Sequence, residues 1–209
     1  MYTLYYSPGA ASLLPHLLLL EIGAAHELCR VDIPAGDNRT PEYLTLNPNG
    51  TVPTLIVDGH TCAETAALLL LLCERHPEAG LAPAIGSATR AAFLQGVLFL
   101  ANTLQPAFRL WFYPSDVGAV DEAALKEGLR TRIEKCFDQL AAQLADGRPY
   151  LLGEQASALD FYATMLMRWS RNMPKPATEW PLLKALADRV RARPSWQRLY
   201  EIEGLTEWV

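Results

Sequence analysis

The periodicity of the chain changes once, and that change limits the folds open to it. Up to residue 76, short strand signals alternate with helical ones. Beyond the Pro-, Gly- and Ala-rich stretch 77–87 only helical periodicity is found. Residues 2–6 are aromatic and β-branched and stop at Ser7-Pro8-Gly9, as a strand does. Residues 12–22 form an apolar run that stops before Gly23, the pattern of a buried helix. A second strand is predicted over 28–33, a short helix over 41–44, a hairpin over 52–63 turning at Asp58-Gly59, and a helix over 64–75. The order β-α-β-α-β-β-α predicts an α+β domain over residues 1–78, with a sheet of about four strands. Helical patterns at 88–112, 121–144, 158–171 and 182–193 predict an all-α domain over residues 88–209.

Charge and composition exclude several classes of function. The 209 residues carry 18 Lys+Arg against 23 Asp+Glu, a net charge of −5. Such a balance offers no basic footprint for a phosphate backbone, so no nucleic-acid partner is expected. The leucine runs 17–20 and 68–72 are far short of the roughly 20 apolar residues of a membrane span, and no membrane partner is expected. No basic segment precedes Pro8-Gly9, so the chain reads as cytoplasmic. The four cysteines form no C-x-x-C pair and have no histidine at metal-ligand spacing. They read as small buried hydrophobes, and no metal is expected.

One local signal is sharp. Ser157-Ala158-Leu159-Asp160 fits a capping box, in which the serine and the acid satisfy backbone donors at a helix start, so Asp160 is assigned to folding rather than catalysis.

Three segments of the first domain carry chemistry. After the first strand, Pro8-Gly9-Ala10-Ala11-Ser12 leads into a helix start, where partial positive charge favours an anion. Ser12 serves there either as a cap or as a catalytic hydroxyl, and the cap is the commoner role. Tyr6 closes the strand, either as a half-buried aromatic or as a second hydroxyl donor. The second segment is Asn47-Pro48-Asn49-Gly50-Thr51-Val52-Pro53, where a proline at a strand start marks an edge, a bulge or a cis bond. A cis bond would leave the Val52 backbone free to pair with an extended peptide. The third segment, Glu64-Thr65, opens a helix whose N–H groups suit a carboxylate while Glu64 suits an amine.

Taken together, Tyr-x-Pro, the helix-opening serine, Asn-Pro-x-Gly-x-Val-Pro-x-Leu, Glu-Thr at a helix start and the 157–160 box resemble the cytosolic glutathione transferases. The closing stretch Arg193-Pro194-Ser195-Trp196 and Glu203-Gly204-Leu205 is similar to the ends of many bacterial members. The resemblance spans nearly the whole chain. It implies a thioredoxin-like first domain, an all-α second domain forming the electrophile site and much of a dimer interface, and a homodimer acting in detoxification. Carried over by position, Val52 pairs its backbone with the cysteinyl unit of glutathione beside a cis-Pro53, Thr51 is a further glutathione-binding residue, and Glu64 and Thr65 hold the γ-glutamyl end. Glutathione is a cosubstrate, and no other cofactor is implied. Ala10, Gln105, Arg109, Phe112, Arg168 and Trp169 are the candidates for a small hydrophobic electrophile.

The bacterial beta class is the nearest in look, but its characteristic cysteine is replaced here by Ala11. A hydroxyl is left to stabilise the thiolate. A free thiol with a pKa of about 8.5 is only about 3% ionised at pH 7, and lowering that pKa by about 2 units takes about 2.7 kcal/mol. One hydrogen bond to a charged group contributes about 1.5–3 kcal/mol, so one hydroxyl suffices. Ser12 is favoured over Tyr6 because the helix start assists it, while His16 reads as a core or cap histidine. The leading function is conjugation of glutathione to an electrophile. Glutathione-dependent reduction of disulfides or peroxides, and non-catalytic ligand binding, are the alternatives.

Overall fold

The computed structural model describes residues 1–118 and 121–208. They form two compact units: residues 1–82 with 192–207, and residues 83–191 with Trp208.

The first unit is built on strands β1 (Tyr2–Tyr6), β2 (His26–Arg30), β3 (Thr54–Val57) and β4 (His60–Ala63), in the order β2-β1-β3-β4. β1 runs parallel to β2 and antiparallel to β3, and β3 and β4 form a hairpin. The parallel pair needs a crossover, which helix α1 (Leu13–Ile22) supplies. Its buried residues Leu13, Leu14, Leu17, Leu18 and Leu19 leave almost no polar face, and Gly23 ends it in the left-handed conformation. Helices α2 (Pro41–Leu46) and α3 (Thr65–Arg75) complete the α+β pattern. Alternation in β1 puts Tyr2, Leu4 and Tyr6 on one buried face, and Tyr5 on the other against Tyr43. The second strand ends at Arg30, before the predicted 33, because Asp32 and Asp37 close a turn there: Asp37 Oδ2 accepts from the Asp32 N–H at 2.9 Å.

The last helix, α9 (Pro194–Glu203), belongs to this unit and packs on α1. Glu21 of α1 accepts from the Arg193 Nε–H at 3.1 Å and from the Ser195 hydroxyl at the start of α9.

The helical unit contains α4 (Arg90–Phe99), α5 (Gln105–Phe112), α6 (Glu122–Gln143), α7 (Ala158–Trp169) and α8 (Pro181–Arg191). Just ahead of Pro106 a π-helical segment, Leu100–Leu104, joins α4 and α5 into one continuous helix. A wider turn accommodates a proline that has no N–H to give the α-helical ladder. This helix, Arg90–Phe112, is the one among the described residues long and apolar enough to cross a membrane by length and composition, and about 33% of its most apolar stretch is buried. At the start of α7, the Asp160 carboxylate accepts from the N–H groups of Ser157 and Leu151 and from the Ser157 hydroxyl, all at 2.8 Å. Asp160 therefore ties the preceding loop to the helix as well as capping it.

Two helical glycines separate packing from propensity. A Cβ on Gly96 would lie 2.7 Å from Leu159 Cδ2, whereas one on Gly128 would meet nothing within 4 Å. Gly96→Ala is expected to destabilise by about 1–3 kcal/mol through overpacking. Gly128→Ala should gain up to about 1 kcal/mol from helix propensity. Urea unfolding of both variants checks this; equal effects would contradict the close α4–α7 contact.

Candidate functional site

The sheet register brings the three chemistry-bearing segments to one end of the first unit. Thr54 pairs with Tyr5 on one side and with Ala63 on the other. Val52-Pro53 therefore lies level with Tyr6-Ser7 at the end of β1 and with Glu64 at the end of β4. Neighbouring strands are about 4.8 Å apart, so a short extended ligand can touch all three.

At Val52 the ladder has stopped. The Val52–Pro53 peptide is cis, and among the described residues neither the N–H nor the C=O of Val52 has an internal hydrogen-bond partner. The loop before it is braced. Asn47 Nδ2 donates to the Thr51 carbonyl at 2.8 Å and to Thr54 Oγ1 at 3.1 Å, and the Tyr43 hydroxyl donates to the same carbonyl at 2.7 Å. Burial raises the Tyr43 pKa, which keeps that hydroxyl a donor. Thr51 is thus fixed by its carbonyl, while Val52 presents a free donor and acceptor on a rigid frame.

Glu64 holds a left-handed backbone, φ 71° and ψ 115°, just before α3. A bulky residue in that region costs about 1–3 kcal/mol and persists where its surroundings impose it, often at ligand sites. Its side chain is exposed and has no ion-pair partner among the described residues, while Thr65 beside it is buried. The first N–H groups of α3 point out of the helix start, the place for a carboxylate.

The turn after β1 differs from the sequence expectation in one respect. Ser12 is fully buried. Its Oγ accepts from the Ser7 N–H and donates to the Ser7 carbonyl, both at 3.1 Å, so the hydroxyl closes the turn on itself. What this helix start offers instead is backbone: among the described residues, the N–H groups of Ala11 and Ser12 have no partner. Tyr6 is 9% exposed, packs on the His16 ring at 5.7 Å, and its hydroxyl has no hydrogen bond among the described residues. Ala10 is half-buried against the cluster formed by Val31, Tyr43 and Val52.

Sequence reasoning missed the group that anchors this turn. Glu203, the last residue of α9, accepts from the Gly9 N–H at 2.8 Å through Oε2 and from His16 Nδ1–H at 2.7 Å through Oε1. Both side chains are completely buried, and His16 Nε2 has no partner. No spacing rule links residues 187 apart in sequence; the pair is legible only once α9 is seen against α1.

In the helical unit, the candidate electrophile residues are placed differently from one another. Phe112 is 47% exposed and stacks on Phe108 at 6.2 Å, with Trp169 edge-on to both at 6.2 and 5.9 Å. Arg109 lies 4.0 Å over the exposed Tyr113 ring while its Nε–H donates to Asp116 at 2.6 Å. Gln105 accepts from the Tyr162 hydroxyl, and Arg168 is buried. Phe112, Trp169, Arg109 and Tyr113 thus make two aromatic surfaces on α5 and α7, with the charge of Arg109 already paired.

Comparison with known proteins shows the family. Residues 12–75 match the family described as "Glutathione S-transferase, N-terminal domain", and residues 122–201 match its C-terminal domain. Glutathione S-transferase GST-4.5 of Xanthomonas campestris pv. campestris is 31% identical over 206 residues, covering 97% of this chain and 98% of that protein. A sphingomonad glutathione S-transferase solved with glutathione is 34% identical with a TM-score of 0.85, covering 98% of this chain and all of that one. A bacterial member, BphK, solved as a ternary complex, is 36% identical with a TM-score of 0.86, over 97% of this chain and all of that one. The chain belongs to the glutathione S-transferase family. Its fold is that of the family, a thioredoxin-like unit followed by a helical one.

Removing the Glu203 carboxylate takes the Nδ1 partner from the buried His16 ring and an acceptor from the Gly9 N–H. Glu203→Ala is therefore expected to cost about 3 kcal/mol, as breaking a buried pair does. Hydrogen exchange at residues 9–12 should also quicken more than in β3. Unchanged exchange at that turn would contradict the clamp.

Proposed function

We propose that this chain conjugates glutathione to a small apolar electrophile. The observation that carries the reading is the free N–H and C=O of Val52, set level with a helix start on one side and Glu64-Thr65 on the other. The cysteinyl unit pairs with Val52 as an added antiparallel strand. Glu64 takes the γ-glutamyl ammonium, and Thr65 with the α3 N-terminus takes its carboxylate. Thr51 and Pro53 hold Val52 in place.

The thiolate belongs at the start of α1. The unpartnered N–H groups of Ala11 and Ser12 donate to it, and the helix end adds some tenths of a kcal/mol or more. Ser12 acts through its backbone and by closing the turn, and the Tyr6 hydroxyl is the uncommitted side-chain donor. No enzyme thiol takes part, because Ala11 occupies the position of the beta-class cysteine. The sulfur attacks the electrophilic carbon, a C–S bond forms, and the leaving group departs with its electron pair. Stabilised thiolate and proximity account for the rate. The exposed aromatic surface of Phe112 and Trp169, with Arg109 and Tyr113, suits flat apolar electrophiles and favours conjugation over disulfide or peroxide reduction. Gln105, held by the Tyr162 hydroxyl, and the buried Arg168 are the polar groups assigned to the electrophile, and Ala10 is the small residue assigned to it on the turn after β1.

The wider setting is a cytoplasmic homodimer serving detoxification. Support for the dimer comes from the half-exposed apolar helix Arg90–Phe112, whose Ala91, Leu94 and Leu98 are not buried within the chain. A second copy covering that face removes an apolar surface from water.

Titration of the thiolate absorbance of bound glutathione tests the sulfur site. The thiol is expected about 2 units below its free value of about 8.5. Tyr6→Phe should raise the bound value by about 1 unit, the loss of one weak charge-assisted hydrogen bond. Ser12→Ala should move it by less than about 0.5 unit while costing about 1–2 kcal/mol of stability. A 2-unit rise in Ser12→Ala would make the serine hydroxyl the donor instead.

A further inference from the structure

A buried negative charge stands behind the turn that is assigned to bind an anion. The Glu203 side chain is completely buried, and one of its oxygens takes the Gly9 N–H at 2.8 Å. The sulfur is assigned to the N–H groups of Ala11 and Ser12, on the same turn. Two like charges at one turn, one of them out of water, disfavour each other's ionised forms. The carboxylate therefore works against a thiolate unless its charge is balanced as the thiolate forms.

His16 is placed to balance it. Its ring is completely buried, Nδ1 lies 2.7 Å from Glu203 Oε1, and Nε2 has no partner. A buried charged N–H with no acceptor costs more than a bare lone pair, so Nε2 is an unused acceptor. Glu203 meets the ring from α9, Tyr6 from β1 at 5.7 Å, and His26 from β2 at 5.8 Å. His26 is itself engaged, its Nδ1–H donating to the Ala24 carbonyl at 2.8 Å. Helix α3, which also packs on α1, buries Leu68, Leu69, Leu72 and Cys73. Further along the α1–α9 contact, Glu21 is paired with Arg193. The Tyr6 hydroxyl, like His16 Nε2, has no hydrogen bond among the described residues.

We propose that His16 takes up the proton that the glutathione thiol loses, so that the thiolate forms beside an imidazolium–Glu203 pair rather than a lone buried carboxylate. This rests on the glutathione reading above. The thiol S–H bond breaks and its proton goes to the Tyr6 oxygen, while the Tyr6 proton goes to His16 Nε2. Tyr6 ends as a hydroxyl donating to the thiolate, and His16 ends with both nitrogens protonated. The Glu203 charge is thus balanced as the sulfur charge appears, and no proton leaves the protein. His16 acts on the sulfur through Tyr6 and through its charge, without touching it. After conjugation the proton follows the leaving group into solvent.

Counting protons tests it. A thiol whose pKa lies about 2 units below 8.5 is about three-quarters ionised at pH 7, as thiolate absorbance reads. Titration calorimetry in buffers of different ionisation enthalpy gives the protons released on binding. In wild type about 0.7 proton leaves the sulfur, and fewer than about 0.2 should reach the buffer. S-methylglutathione, which has no thiol, should bind with neither release nor uptake. His16→Asn keeps a donor for Glu203 in place of Nδ1–H but has no Nε2. Its bound thiol should have a pKa about 1 unit higher, and every proton lost by sulfur should reach the buffer. The 15N signals of the His16 ring in wild type give a second reading that needs no variant: imidazolium with glutathione, neutral ring with S-methylglutathione. A wild type that releases as many protons as it forms thiolates would overturn the proposal. So would equal uptake with S-methylglutathione. Glutathione bound as the intact thiol would also overturn it, with glutathione binding left standing. A wild type that does not bind glutathione would overturn the reading on which the proposal rests.

Discussion

Both oxygens of a single buried carboxylate organise the end of the sheet where the chemistry is assigned. Glu203 reaches from the last helix to the Gly9 N–H and to His16, and the turn between β1 and α1 is held between them. Burying a charge is costly unless it is paired and hydrogen-bonded, and here each oxygen has a donor. The turn is closed a second time by the Ser12 hydroxyl on the Ser7 backbone. With side chains doing the bracing, the N–H groups of Ala11 and Ser12 remain unused and point to where an anion is proposed to sit.

The same division of labour recurs at Val52 and at Gly50. Asn47 and Tyr43 engage the Thr51 carbonyl, leaving the next residue's backbone unpaired. Asn38 engages the Gly50 carbonyl, leaving the Arg39 head over the Cα. In each case a buried polar side chain braces the loop, and a neighbouring group has no internal partner among the described residues. Preorganisation of this kind lets a small ligand bind without ordering the protein first.

Much of this was legible in the sequence, and the exceptions share a cause. β1 and β4 and the helices α1 and α3 follow from local signals: aromatic and β-branched alternation, apolar runs, Gly23 as a stop. The Val-Pro pair pointed to the interrupted ladder for a local reason too. The π-helical turn before Pro106 did not follow from the helical pattern 88–112, because a kink and a π-helical turn both relieve a proline's missing N–H. The hydroxyl of Ser12 looked available because spacing cannot show that Ser7 claims it. Glu203 was invisible, because it acts on Gly9, 194 residues away. Pattern reading finds groups that act on their own helix or strand and misses those that act across the fold.

The central claim is that glutathione lies antiparallel on Val52 with its sulfur at the start of α1. Amide hydrogen exchange with and without glutathione tests it most directly. The account predicts slowed exchange at Val52, Ala11 and Ser12, which have no internal N–H partner among the described residues, with little change at β2 on the far edge of the sheet. Protection elsewhere with none at Val52 would contradict it.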